Sequence, residues 1–83
     1  MTTEEHKAIT ARFFEALAWL KESHQIRGLQ TFTNRYGIDR RSVRRVQLEP
    51  ERCSLKVSWL TFLVRDYGIN AAWLLTGEGP MHG

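Results

Sequence analysis

Four residues occur twice, nearly letter for letter, and they constrain this chain more than any other feature: Tyr36-Gly37-Ile38-Asp39 and Tyr67-Gly68-Ile69-Asn70. In each, the glycine can take the left-handed conformation that closes a helix and the isoleucine can fold back on a core. The Asp or Asn then supplies an oxygen that caps the next helix. A stop, a turn and a restart within three residues predict two tight helix-to-helix corners. The segments flanking the two corners do not match, so corner chemistry is repeated and not a whole domain.

Helical periodicity fills the chain between and around these corners. Thr2 with Glu5 fits a capping box, and the helix it opens should run to about Ser23 with Ile9, Phe13, Ala16, Leu17 and Leu20 on its inward stripe. A second helix should begin after Gly28 and end at Tyr36, with Leu29, Phe32, Thr33 and Tyr36 at i, i+3, i+4, i+7. A third spans 39–46. Gln47 to Cys53, with Pro50 among charges, reads as a surface loop, and Ser54 is placed to cap a fourth helix that ends at Tyr67 and turns Trp59, Leu60, Leu63, Val64 and Tyr67 inward. The fifth runs from Ala71 to about Leu75, capped by Asn70 and halted by Gly77. The expected fold is all-α, a compact five-helix bundle, and 83 residues suffice for one domain, with 76–83 as a flexible exit. Phe14, Trp19 and Phe62 fall outside the inward stripes; they either widen the buried face or form a partner surface, a dimer interface being the candidate.

Charge is concentrated where the third helix lies. Six arginines against the single Asp39 leave residues 27–46 at +5, while 1–26 and 47–83 each sum to −1. On a helix, Arg40, Arg41, Arg44 and Arg45 project within an arc of about 140°, and Val43 and Val46 project to the opposite side. Like charges set four residues apart cost a few tenths of a kcal/mol per pair, which a bound polyanion would offset. The segment holds no lysine. Arginine's planar fork suits guanine O6 and N7 or a phosphate, and a helix fits a major groove roughly 12 Å wide. The expectation is double-stranded DNA as partner, with Arg40, Arg41 and Arg44 meeting bases and Arg45, Gln30, Thr31 and Arg35 meeting phosphates. The alternative is a helical protein-interaction module whose arginines grip an acidic partner. RNA is disfavoured, because no aromatic platform interleaves the basic residues.

Other chemistries find no support. His6, His24 and His82 are scattered without metal-ligand spacing, and neither an acid pair nor a phosphate-cradling glycine loop is present, so neither an enzyme nor a metal or cofactor is implied. Cys53 is the only cysteine, which excludes an intrachain disulfide. Without a signal peptide or an apolar run of membrane-spanning length, the expected location is the cytoplasm.

Two stretches carry a family likeness. Thr33-Asn34-Arg35-Tyr36-Gly37-Ile38 followed by Val43, and the tail from Tyr67-Gly68-Ile69-Asn70 through Trp73-Leu74-Leu75-Thr76-Gly77-Glu78-Gly79-Pro80-Met81, resemble the phage-repressor-like (lambda-repressor-like) helix-turn-helix domains of bacterial and phage transcription regulators. The resemblance covers roughly residues 9–81 in architecture. It implies sequence-specific DNA binding by a regulator of the repressor type, and a homodimer on a two-fold site. Thr33 stands for the family's usual alanine, Leu29 stands where a phosphate-contacting glutamine is common, and the loop Gln47-Leu48-Glu49-Pro50-Glu51 lacks the usual glycine.

Overall fold

Both glycine corners close as their residues dictate. A computed structural model describes residues 4–82 and gives five helices: α1 Glu4–Glu22, α2 Leu29–Tyr36, α3 Arg40–Leu48, α4 Val57–Tyr67 and α5 Ala71–Thr76. Thr2, the expected first cap, lies outside the described residues. Gly37 and Gly68 are both left-handed (φ 65°, ψ 31° and φ 70°, ψ 22°), a region that costs glycine nothing and most other residues a good deal. Asp39 and Asn70 follow with nearly the same extended backbone, and each side chain accepts from the N–H two residues on, Arg41 at 2.9 Å and Ala72 at 3.0 Å.

Two helix boundaries differ from expectation. α3 continues through Gln47 to Leu48, because the residue barred from helical backbone by Pro50 is Glu49, whose N–H still closes on Arg45 O at 2.8 Å. α4 starts at Val57 behind an extended Lys56 with no side-chain cap, so Ser54 is not its cap. Leu55 is the cause: it is drawn into the core, which keeps the chain extended past the serine.

The core is a single cluster to which every helix contributes. Phe13 of α1 is its hub, fully buried and in ring contact with Phe32 of α2 at 6.0 Å and Trp59 of α4 at 5.9 Å. Leu20, Val43, Leu63 and Leu74 are also sealed from water. Thr33, buried where an apolar side chain would be simplest, satisfies its hydroxyl by donating to Gln30 O at 3.2 Å. Among the described residues there is no strand, only an isolated antiparallel bridge between Ile69 and His82. No helix is long and apolar enough to cross a membrane.

The C-terminal exit is tied down along part of its length. Asn70 donates from its backbone N–H to Met81 O at 2.8 Å and from Nδ2 to Pro80 O at 3.0 Å, and His82 stacks on Trp19 at 4.1 Å between ring centroids. α5 is fastened from the other side by Arg12, which donates from Nε to Leu74 O and from Nη2 to Leu75 O, a cation on the last carbonyls of a helix. The second corner therefore needs an amide where the first needs only an oxygen. Asn70→Asp keeps the cap but sets a carboxylate oxygen against the Pro80 carbonyl. Urea denaturation should show it destabilised by about 1–3 kcal/mol, whereas Asp39→Asn, which keeps its cap, should change stability less. Equal effects at the two corners would contradict this account.

Candidate nucleic-acid interface

The basic face forms because α3 is anchored on one side only. Val43 and Val46 are buried against the core, and Arg40, Arg41, Arg44 and Arg45 are all exposed on the helix surface away from them. Among the described residues Arg40, Arg44 and Arg45 form no ion pair, and Arg41 lies 3.6 Å from Asp39 with its side chain 90% exposed. Exposed pairs of this kind contribute about 0–1 kcal/mol, too little to withhold the guanidinium from a ligand.

α2 supplies the neighbouring surface. It opens on Gly28 with no side-chain cap, which leaves N–H groups of its first turn for an outside acceptor. Gln30 is exposed beside it, and its Oε1 accepts from Arg40 Nη1 at 3.2 Å, joining the start of α2 to the start of α3. That bond uses the amide oxygen and leaves the NH2 donors free. An open cleft of about 250 Å³ lies here, lined by Arg27, Gly28, Leu29, Gln30, Arg40 and Arg44. Three guanidinium-bearing side chains around one cleft give it a positive potential. Thr31 is half-buried, and its hydroxyl accepts from Arg27 N–H at 3.2 Å while keeping its own proton to donate. Arg27 was not singled out from the sequence; its place in the charged segment was the available signal.

The acidic loop after α3 forms exposed ion pairs within the protein. Glu49 lies 3.5 Å from Arg52, and Glu51 lies 3.5 Å from Lys7 of α1. Lys7 is shared with Glu4 at 3.7 Å, and Asp39, at the start of α3, lies against Arg41.

Arg35 is placed elsewhere. Its guanidinium sits 5.3 Å from the ring centroids of both Tyr36 and Tyr67 and 4.0 Å from Asp66. Asp66 also takes two hydrogen bonds from Arg65 at 3.0 Å and one from the Tyr36 hydroxyl at 2.6 Å. The cluster ties α2 to α4. Burial, and then the bond to Asp66, push the Tyr36 phenol well above its ordinary range.

The three aromatics outside the stripes are engaged within the fold. Phe62 stacks flat on Tyr36 at 3.9 Å, Trp19 on His82, and Phe14 meets Phe13 edge-on at 5.0 Å; all three are half-buried. Among the described residues the large apolar side chains that remain exposed are Leu48, Val57 and Leu75. Val57 and Leu75 line an apolar groove of about 300 Å³ between α4 and α5 that sequence periodicity did not indicate.

Comparison with protein-family models, with curated proteins and with solved structures finds no match to this chain.

The Asp66 cluster makes a pH-dependent contribution. Hydrogen bonds from Arg65 first, and then from Tyr36, lower the Asp66 carboxyl from 3.8 to about 2. A pKa depressed in the folded state adds stability that is present above the unfolded value and is lost as pH falls through the folded one. Wild-type Tm should therefore drop more steeply between about pH 4 and 2 than that of Asp66→Asn. Parallel acid limbs would show that the Asp66 carboxyl is not held below its unfolded value in the folded protein.

Proposed function

We propose that this chain is a sequence-specific double-stranded DNA-binding regulator of transcription, of the helix-turn-helix type, acting in the cytoplasm with α3 laid in the major groove. One observation carries the reading. α3 is pinned by two valines and presents four exposed arginines from its free side, three of them without an ion pair among the described residues. Arginine at such density, with no lysine in the segment, matches the bidentate acceptors of guanine and phosphate.

Roles follow from position. Arg40, Arg41 and Arg44, on the N-terminal half of α3, are the base-reading residues, and Gln30 holds Arg40 in place while its amide donors remain for a phosphate. Arg45, Thr31 and the uncapped start of α2 are assigned to the phosphate backbone, with Arg27 added to them. Arg35 is left to the Tyr36 and Asp66 cluster. The likeness to phage-repressor-like domains supports the reading through the two corners and the tail, and it brings with it a pair of chains on a two-fold operator.

Affinity for random-sequence duplex, measured across a salt series, tests the proposal. If four to six phosphates are neutralised, log affinity should fall with log salt at a slope between about −3.6 and −5.4. On a site selected from random DNA, Arg44→Ala should lose roughly 1–3 kcal/mol of preference at one base position, and enrichment of an inverted repeat would mark two bound chains. A flat salt response would transfer the arginines to an acidic protein partner.

A further inference from the structure

We propose that Leu48 is a specificity-determining residue that reads the 5-methyl group of a thymine in the major groove. The inference rests on α3 being the DNA-reading helix, and it adds an apolar contact to the arginine contacts.

The position of Leu48 carries the argument. Because α3 runs to Leu48, that residue belongs to the helix surface and not to a loop. At 100° per residue it lies about 80° round from Arg40, between Arg44 at about 40° and Arg41 at about 100°, in the middle of the basic arc. It is 73% exposed, so it contributes little to the core. Along the helix it is the last residue of α3, one turn beyond Arg44, so the outward face that begins with the arginines ends on an apolar side chain next to Glu49.

Chemistry narrows the occupant. The leucine side chain has no donor or acceptor, so it cannot pair with a phosphate or with base nitrogen and oxygen. Arg44 and Arg45, within one turn before it on α3, favour a polyanion over an apolar protein surface. On the major-groove edge of duplex DNA the apolar group is the thymine methyl. Of the neighbouring carboxylates, Glu49 lies 3.5 Å from Arg52 and Glu51 lies 3.5 Å from Lys7. Leu48 is one helical turn beyond Arg44, about 6 Å along the axis. That is roughly two base steps at about 3.4 Å each.

Deoxyuridine differs from thymidine only by that methyl. Each thymine of a selected site is replaced singly by deoxyuridine, and binding is followed by fluorescence anisotropy at fixed salt for wild type and Leu48→Ala. One replacement, about two base steps from the position that responds to Arg44→Ala, should weaken wild type about four-fold, the worth of one buried methylene. Leu48→Ala should be indifferent to that replacement and keep the wild-type salt slope and Tm. Uniform tolerance of deoxyuridine by wild type would overturn the proposal, and so would undiminished sensitivity in Leu48→Ala. If those results come with an intact salt slope, Leu48 alone is misassigned; absence of duplex binding would sink the DNA reading itself.

Discussion

Burial of Val43 and Val46 is the interaction on which the candidate interface depends. Sealing two valines from water is worth about 3–6 kcal/mol before the cost of ordering them, whereas the like-charge pairs Arg40 with Arg44 and Arg41 with Arg45 cost roughly 0.2–0.5 kcal/mol each. Burial wins. The helix stays wound and keeps its charge on the outside. The same two valines fix which way it is turned, so the exposure of the arginines, and of Leu48 among them, follows from what lies beneath.

Two corners with nearly the same residues perform different tasks, and the difference lies in one atom. At Asp39 the side chain caps α3 and lies close to Arg41; at Asn70 it caps α5 and also donates to the returning chain at Pro80. An amide both accepts and donates, and a carboxylate only accepts. Among the described residues the Asp39 side chain of the first corner makes no tie to a distant segment, while Asn70 of the second holds the returning chain at Pro80 against the start of α5.

Much of the fold was legible in the sequence because its signals are local. Helical period, glycine stops and Asp or Asn starts placed all five helices and put Phe13, Phe32, Val43, Trp59 and Leu74 within them. What stayed hidden depends on residues distant in the chain or on competition between neighbours. Ser54 looked like a cap until Leu55 was drawn into the core, and the end of α3 was set by the restriction Pro50 places on Glu49. Of the candidate site, the outward arc of α3 was legible from 100° geometry. The bond from Arg40 to Gln30, the approach of Arg35 to Tyr67 and the stacking of Trp19 on His82 and of Phe62 on Tyr36 were not, since each joins segments separated in the chain.

The proposed seat of duplex DNA is the free face of α3 together with the start of α2. Titrating isotope-labelled protein with a short duplex and following its backbone amide and arginine Nε resonances tests that location directly. The account predicts shifts gathered on residues 28–31 and 39–48, with the groove between α4 and α5 undisturbed. Shifts confined to that groove, or a spectrum unmoved at low salt, would contradict it.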